Sequence, residues 1–266
     1  MKLSPIFVGG AGRSGTTLLR VILDAHPSIA CGPELKITPA LCQLWLNLQT
    51  AFLPALEAYG AGAEDVNDAV AGMLGRFLGP YLSRSQKSRI AEKSPNNVFF
   101  FEHLHLIFPE SPLVHVIRDG RDVVCSLLTM NWVDPTTGAP IDYTRDVQKA
   151  AEYWVKAVRA GRTAEKNVEG RCFELRYERL VADPEPTLRA LFTFLDEPWD
   201  ARVLRYHEDK HRNLAGESSA TQVSKPIYAA ASGRWSRDLT AAQKAIVKDV
   251  AGPLLIELGY ATDLDW

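Results

Sequence analysis

The chain has 266 residues, of which 46% are hydrophobic and 23% are charged, a balance typical of a soluble globular protein with a sizeable core. Its formal net charge is -2 at pH 7, so the chain lacks the overall positive charge that non-specific nucleic-acid binding requires. No apolar stretch approaches the roughly 20 residues that span a bilayer, so we expect no integral membrane segment. The first apolar run begins at Ile6, which leaves no room for a signal peptide and favours a cytoplasmic protein.

The first half of the chain alternates short apolar runs with stretches of helical periodicity. "PIFVGG" predicts a strand that ends in a glycine-rich turn, and "TTLLRVILDAH" predicts the following helix. "SIACG" predicts a second strand, and a long helical stretch interrupted by Pro39 and Pro54 starts at "ELKITPALCQ". Helical periodicity returns in "VNDAVAGMLGRFLGPYL" and "NVFFFEHLHLIFP", with a buried strand end at "RIAEKSP" between them.

The second half continues the same alternation. "PLVHVIR" is rich in branched residues and predicts a strand, and "DGRDVVCSLLTM" predicts a helix that begins near Asp119. After the loop "NWVDPTTGAPIDYT" we predict a long amphipathic helix, then a strand at "CFELRYE" and two further helices near the end of the chain. The alternation predicts an α/β fold with a central parallel sheet flanked by helices, in a single domain over residues 1–266.

The polar segment from Glu208 to Gly233 is too long for an idle loop in a compact domain, and such segments are usually functional or disordered. The four cysteines are scattered, and none has the spacing of a zinc site. We therefore expect reduced, mostly buried thiols and no metal site.

The turn after the first strand has the spacing of a phosphate-binding loop, from Gly10 to Gly15. Backbone N–H groups in such a loop converge with the unpaired amides of the following helix, so an anion can bind there. A nucleotide triphosphatase carries lysine after the second glycine, but this chain has Thr16, and Arg13 lies inside the loop instead. A guanidinium is a planar fork that suits a terminal oxyanion. By itself the loop is equally typical of a tight turn without a ligand.

Two segments carry a resemblance to a known family. "FVGGAGRSGTTLLRVILDAHP" resembles the 5'-phosphosulfate loop of sulfotransferases that use 3'-phosphoadenosine 5'-phosphosulfate (PAPS), and "VIRDGRDVVCSLL" resembles their 3'-phosphate strand and helix. The similarity is greatest to the tyrosylprotein sulfotransferase branch and covers nearly the whole chain in order. It includes "CGPE", "EKSPN", "RYERLVADPE", "FLDEPWD", "SKPIYAAASGRW" and "GPLLIELGY". The resemblance implies a P-loop-like sulfotransferase fold, PAPS as co-substrate, 3',5'-ADP as product, and no metal.

The resemblance also implies roles for individual residues. Glu34 matches the general base that takes the proton of the acceptor hydroxyl, and Lys93 with Arg13 matches the cations that stabilise charge on the bridging oxygen. Arg118 and Ser126 match the residues that bind the 3'-phosphate. The remaining cofactor-binding positions are Ser14, Gly15, Thr16 and Thr17 in the loop, and Tyr177, Ser219, Lys225 and Arg234, which line the nucleotide or close over it. Residues 208–233 would then be a flexible loop that covers the cofactor.

The chain departs from the family at several positions. Lys36 and Ala40 stand where the family has arginines that hold acidic peptides, which weakens the acidic-peptide pocket. Cys31 and Cys172 match cysteines that form disulfides in the Golgi enzymes, but their partner positions are not cysteine here, which fits a reducing compartment. The membrane anchor of those enzymes is also missing.

The sequence leaves the acceptor open between a peptide tyrosine and a hydroxyl of a small molecule, lipid or sugar. It does not define the oligomeric state, for which a homodimer is one option. Two alternatives are a P-loop-type kinase, which would need magnesium and ATP, and a noncatalytic nucleotide-binding module. Three histidines lie in apolar contexts, where we predict core packing rather than catalysis, namely His103, His105 and His115.

Overall fold

The computed structural model describes residues 3–134, 137–208, 217–227 and 232–266. Within these ranges the framework is a five-stranded sheet in which every neighbouring pair of strands is parallel. The strands are β1 (Ile6–Gly10), β2 (Ile29–Cys31), β3 (Arg89–Lys93), β4 (Leu113–Ile117) and β5 (Cys172–Arg176). Their order across the sheet is β2-β3-β1-β4-β5, so β1 is the central strand. The predicted parallel α/β architecture is confirmed.

The helices of the described ranges connect the strands and cover the sheet. They are α1 (Thr16–Ala25), α2 (Ile37–Thr50), α3 (Leu53–Ala58), α4 (Ala63–Ser85), α5 (Phe101–Ile107), α6 (Gly120–Leu127), α7 (Val147–Asn167), α8 (Tyr177–Ala182), α9 (Pro184–Phe194), α10 (Ala220–Val223), α11 (Trp235–Asp238) and α12 (Ala241–Glu257). Short 3₁₀ helices occupy Pro95–Phe100, Asp142–Thr144 and Ala201–Glu208.

The core is divided between the two faces of the sheet. Successive side chains of β1 point to opposite faces, so Phe7 packs with α2, α4, α5, α7 and α12, whereas Ile6 and Val8 pack with α1, α8 and α9. Trp154 of α7 is fully buried, and its indole N–H donates to the carbonyl of Arg118 at 3.0 Å. Burial of β1, β2 and β4 on both faces explains why these strands are continuous apolar runs in the sequence.

Several predicted boundaries differ from the observed ones. The helix expected over "NVFFFEHLHLIFP" is a 3₁₀ helix up to Phe100 and is α-helical only over Phe101–Ile107, and the helix expected over "DGRDVVCSLLTM" ends at Leu127. The helical stretch expected from Glu34 onwards begins at Ile37 and divides into α2 and α3. Pro39 lies in the first turn of α2, where backbone N–H groups have no partner within the helix, so a proline there costs no helical hydrogen bond. The strand expected over "CFELRYE" ends at Arg176, because Tyr177 starts α8 and brings Leu180 into the core.

Of the three histidines predicted to pack in the core, His115 is buried and His103 and His105 are half-buried, and three of the four cysteines are buried. His115 lies in the middle of β4, is 0% exposed, and its burial lowers its pKa to about 3, so the predicted core role is confirmed. All four cysteines are free thiols, and burial raises the pKa of Cys42 and Cys172 to about 12. Among the described helices, none combines the length and the apolar character that crossing a bilayer requires.

Parallel strands place their carboxyl ends along one edge of the sheet, and ligands in such folds bind at that edge. The loop after β1 carries Arg13, and Glu34 follows β2. Lys93 is the last residue of β3, and Arg118 follows β4 directly. The topology therefore gathers the candidate residues from four separate segments on one side of the molecule.

Candidate functional site

A cavity of about 600 Å³ lies along the carboxyl edge of the sheet. Most residues predicted from the sequence line it, namely Arg13, Gly15, Thr16, Thr17, Glu34, Arg118, Ser126, Tyr177, Ser219 and Arg234. Ser14, Lys93 and Lys225 do not contribute to its wall. Ser14 and Lys93 are each 1% exposed and lie behind the wall, whereas Lys225 is exposed to solvent.

The glycine-rich loop turns sharply into α1. Arg13 (φ 73°) and Gly15 (φ 101°) both adopt left-handed backbone conformations, and Gly15 caps α1 without any side-chain hydrogen bond to the helix N-terminus. The first amides of α1 are therefore left for another acceptor. The hydroxyl oxygen of Ser14 is buried and has no hydrogen-bond partner among the described residues. These features match the donor set of an anion site.

Gly15 is required by close packing as well as by its φ angle. A Cβ atom at this position would lie 2.5 Å from Cδ2 of Tyr177, whose ring also packs under the guanidinium of Arg118 at 4.6 Å. We expect Gly15→Ala to displace Tyr177 and to weaken 3',5'-ADP binding by about tenfold or more, together with a lower Tm. Calorimetry and thermal unfolding would measure both effects.

Gly170→Ala is the matched control for that substitution. Gly170 also has a positive φ of 71°, but nothing lies within 4 Å of a Cβ placed there. It should therefore lower Tm through backbone strain alone and leave nucleotide affinity unchanged. Equal effects of the two substitutions on affinity would contradict a specific role for the contact between Gly15 and Tyr177.

The two predicted anion-binding groups are in direct contact. Nε of Arg13 donates to Oγ of Ser126 at 3.0 Å, and Nη1 of Arg118 donates to the carbonyl oxygen of Arg13 at 3.1 Å. Nη1 of Arg13 also donates to Ser218 and Ser219, at 2.6 and 2.9 Å. Burial lowers the pKa of Arg13, and repulsion from Arg118 and Arg234 lowers it further. The cavity wall therefore concentrates positive charge that an anion would neutralise.

Arg118 is fixed from several sides. It is 6% exposed, and its Nη2 lies 3.6 Å from Oδ2 of Asp122, which is itself fully buried. Asp122 also accepts from the backbone N–H groups of Gly233 and Trp235, at 2.8 and 3.0 Å. The same carboxylate therefore orients Arg118 and holds the backbone on both sides of Arg234.

Lys93 bridges two carboxylates. Its Nζ donates to Oε2 of Glu34 at 2.8 Å and to Oε2 of Glu217 at 3.1 Å. The side chain of Lys93 is 0% exposed and that of Glu34 is 24% exposed, so Glu34 remains reachable from the cavity. Glu92 does not pair with Lys93 but accepts from Ser94 and Asn97, because neighbouring residues of a strand face opposite sides.

Glu217 is a site residue that the sequence did not reveal. Its side chain is 4% exposed, and Oε2 also accepts from Oγ1 of Thr17 at 3.0 Å. Oε1 lies 3.6 Å from Nε of Arg20, whose side chain is 0% exposed. The only sequence signal was a carboxylate next to two serines in a polar stretch, which does not predict burial.

A second group missed at the sequence level forms the other half of the cavity. Trp132 and Tyr143 come from the loop before α7, and Tyr153 comes from α7 itself. The rings of Tyr143 and Tyr153 stack at 4.2 Å with an interplanar angle of 8°. Burial and then the charge of Glu34 raise the pKa of Tyr143, so the stack lies within the field of that carboxylate. We call these three residues the aromatic wall.

The aromatic wall is hydrogen-bonded to the glycine-rich loop. The hydroxyl of Tyr153 accepts from the backbone N–H of Gly12 at 2.9 Å and donates to Oδ1 of Asn96 at 3.2 Å. The phenol of Tyr153 therefore fixes the position of the glycine-rich loop as well as its own position in the aromatic wall.

The polar segment predicted over 208–233 is described only in part. Residues 209–216 and 228–231 lie outside the described ranges. The described part contains α10, whose Val223 is buried, and the carbonyl of Lys225 accepts from the hydroxyl of Tyr206 at 2.7 Å. Lys225 itself is exposed and does not line the cavity.

The chain is similar to known sulfotransferases. A sequence model described as "Sulfotransferase family" matches residues 5–201. A protein-tyrosine sulfotransferase of Drosophila melanogaster is 32% identical over 96% of this chain and 51% of its own length. Protein-tyrosine sulfotransferase A of Caenorhabditis elegans is 32% identical over 97% of this chain and 68% of its own length. The chain thus spans about half the length of the fly relative.

Solved structures show the same fold. The sulfotransferase domain of the Synechococcus PCC 7002 olefin synthase superposes with a TM-score of 0.67 at 22% identity, over 95% of each chain. The sulfotransferase domain from the curacin biosynthetic pathway gives 0.63 at 20% identity, over 95% of this chain and 97% of the other. Since the family model matches residues 5–201, which include all five strands and the glycine-rich loop, the chain belongs to the sulfotransferase family.

Proposed function

We propose that this protein transfers a sulfuryl group from PAPS to the hydroxyl of an acceptor. The observation that supports it most is the sharing of one cavity by two anion-binding groups, which Arg13 joins through its bond to Ser126. A nucleotide with phosphates at both ends of its ribose fits such a pair. ATP carries no phosphate on the 3' oxygen and would leave the group around Arg118 unused.

The donor would bind with its two ends in different groups. The 5'-phosphosulfate would take the donors of the loop, which include the buried hydroxyl of Ser14, the hydroxyls of Thr16 and Thr17 and the first amides of α1. The 3'-phosphate would take Arg118 and Ser126, where a guanidinium can donate two hydrogen bonds to one phosphate.

The chemistry assigns a separate task to each charged residue. Glu34 would accept the proton of the acceptor hydroxyl while that oxygen forms a bond to sulfur. The bond from sulfur to the bridging oxygen would break in line, and its electron pair would stay on the phosphate of the 3',5'-ADP that leaves. Lys93 would stabilise that developing charge, and a shift of Nζ from Glu34 to the bridging oxygen would leave Glu34 more basic as transfer proceeds.

Arg13 would assist Lys93 from the other side of the loop. Its present hydrogen bonds go to Ser126, Ser218 and Ser219, so its guanidinium also contacts the group assigned to the 3'-phosphate. We therefore propose that Arg13 contributes to binding the donor as well as to stabilising the transferred group.

The acceptor would enter along the aromatic wall, which lies in the same cavity as Glu34. Trp132, Tyr143 and Tyr153 offer flat surfaces to an apolar or aromatic acceptor, and Lys36 lies at the same end. A tyrosine side chain of a peptide and a hydroxyl of a small molecule, lipid or sugar are all compatible with this arrangement. A screen with labelled donor across phenols, peptides and sugars would identify the acceptor.

Calorimetry with 3',5'-ADP and ATP, each with and without magnesium, tests the proposed donor. We expect 3',5'-ADP to bind at least about tenfold more tightly than ATP, since the 3'-phosphate adds charge-assisted hydrogen bonds. Equal or tighter binding of ATP in the presence of magnesium would instead support a kinase. Transfer of labelled sulfuryl from PAPS to any acceptor of the screen would contradict a noncatalytic nucleotide-binding module.

A further inference from the structure

The carboxylate of Glu217 lies among the groups that the proposed function assigns to the donor. Oε2 accepts from Thr17 and from Lys93, at 3.0 and 3.1 Å. Thr17 belongs to the phosphate-binding loop and Lys93 is the cation assigned to the bridging oxygen. An acidic side chain therefore holds the hydrogen-bond donors that the phosphosulfate would need.

The surroundings of Glu217 are those of a bound anion. Its carboxylate is 4% exposed and faces Lys93 and Arg20, whose side chains are both 0% exposed. Burial acts to raise the pKa of Glu217, but the attraction of Lys93 and the bonds from Lys93 and Thr17 outweigh it, and the pKa is lowered. The ionised carboxylate compensates positive charge that the fold has buried beneath the cavity.

The residues next to Glu217 extend the same contact. Hydroxyls of Ser218 and Ser219 accept from Nη1 of Arg13, at 2.6 and 2.9 Å. Three consecutive residues thus engage Arg13, Thr17 and Lys93, which come from two different strand ends. These three residues contact the glycine-rich loop in the way that a bound ligand would.

Thr17 and Lys93 cannot bind the carboxylate of Glu217 and the phosphosulfate of the donor at the same time. The hydroxyl of Thr17 has a single hydrogen to donate, and it is directed at Glu217. A phosphosulfate beside Lys93 and Thr17 would also meet the negative charge of Glu217 within a few ångströms in a poorly solvated place, where like charges repel strongly. The incoming anion can instead replace the carboxylate as the counterion of Lys93 and Arg20.

We propose that Glu217 is an internal competing anion, which occupies the position of the 5'-phosphosulfate and must leave when the donor binds. This inference rests on the proposed function. It makes Glu217 a determinant of donor affinity, and the effect is specific to the 5' end of the nucleotide. A residue that merely anchored the chain would support binding at both ends.

Glu217→Gln tests this with three probes measured by calorimetry, adenosine 5'-phosphate, adenosine 3'-phosphate and 3',5'-ADP. Removal of the charge should tighten the two ligands that carry a 5'-phosphate by about tenfold, the equivalent of one charge-assisted hydrogen bond. The affinity for adenosine 3'-phosphate should stay within about twofold, because its phosphate is assigned to the other group. Glu217→Asp, which keeps the charge on a shorter side chain, should give an intermediate result.

Glu169→Gln is the matched control, because Glu169 is an exposed glutamate in the turn after α7, does not line the cavity and should change none of the affinities. Circular dichroism and thermal unfolding would confirm that each variant is folded. Unchanged or uniformly weaker binding of all three probes to Glu217→Gln would overturn the inference.

A crystal structure of the wild-type protein with 3',5'-ADP gives a second test that needs no variant. The 5'-phosphate should be bonded to Thr17, with the carboxylate of Glu217 displaced from Thr17 and Lys93. A complex in which Glu217 keeps both bonds beside a bound 5'-phosphate would overturn the inference while leaving the proposed function intact. A different result, tighter binding of ATP than of 3',5'-ADP to the wild-type protein, would contradict the proposed function.

Discussion

Glu34→Gln is expected to lower kcat by about 10²- to 10⁴-fold, the range in which general bases contribute to catalysis. The amide oxygen of glutamine can still accept from Nζ of Lys93, so the site should keep its shape. Because Glu34 would act on the acceptor and not on the nucleotide, the Kd of 3',5'-ADP should remain within about threefold of wild type. Steady-state transfer of labelled sulfuryl and calorimetry would separate the two quantities.

Glu57→Gln serves as the control, since Glu57 is exposed on α3 and remote from the catalytic assignment. It should reproduce the wild-type kcat. If Glu34→Gln retained full turnover on every active acceptor, the carboxylate would not be the base. If the variant lost nucleotide affinity as well, Glu34 would have to support the binding site as a whole.

Arg118→Met is expected to raise the Kd of 3',5'-ADP by about 10- to 150-fold, the equivalent of a hydrogen bond to a charged group at about 1.5–3 kcal/mol. The Kd of adenosine 5'-phosphate should change by less than about threefold, because that ligand has no phosphate to present to Arg118. Calorimetry with the two ligands gives the difference directly.

The loss of Arg118 also leaves the buried carboxylate of Asp122 with fewer partners, so the variant needs an independent check. Ser126→Ala removes only a hydroxyl from the same group and should shift the preference in the same direction by a smaller amount. Arg84→Met, at an exposed position of α4, should leave both affinities unchanged. If Arg118→Met and Ser126→Ala each lost affinity for 3',5'-ADP and for adenosine 5'-phosphate equally, the assignment of these residues to the 3'-phosphate would be contradicted.

Much of the fold was predictable because its signals are local. β1, β2 and β4 are short runs of apolar residues that are buried on both faces, and a glycine or a polar residue marks the end of each. The loop around Gly15 and the position of Arg118 directly after β4 followed from the same reasoning, since parallel strands bring their ends together. The resemblance to a family then connected two loops that periodicity alone could not relate.

The rest of the site depends on contacts between distant segments. Glu217 is buried only because Arg20, Lys93 and Thr17 surround it, and a polar stretch carries no trace of those partners. Trp132 and Tyr143 lie in a loop without periodicity, and Tyr143 gains its place by stacking on α7.

With the acceptor bound along the aromatic wall, as we propose, the hydroxyl of Tyr153 would limit how acceptor preference can diverge within this scaffold. A substitution there would reshape the acceptor pocket and at the same time release the amide of Gly12, so a gain for a new acceptor would be accompanied by a change in donor handling. Trp132 and Tyr143 carry no such linkage through a hydrogen bond to the loop backbone among the bonds of the described residues. The Trp132 ring nevertheless packs close to Gly12, since a Cβ placed there would lie 3.3 Å from it. Evolution or engineering of new acceptors should therefore proceed first through Tyr143.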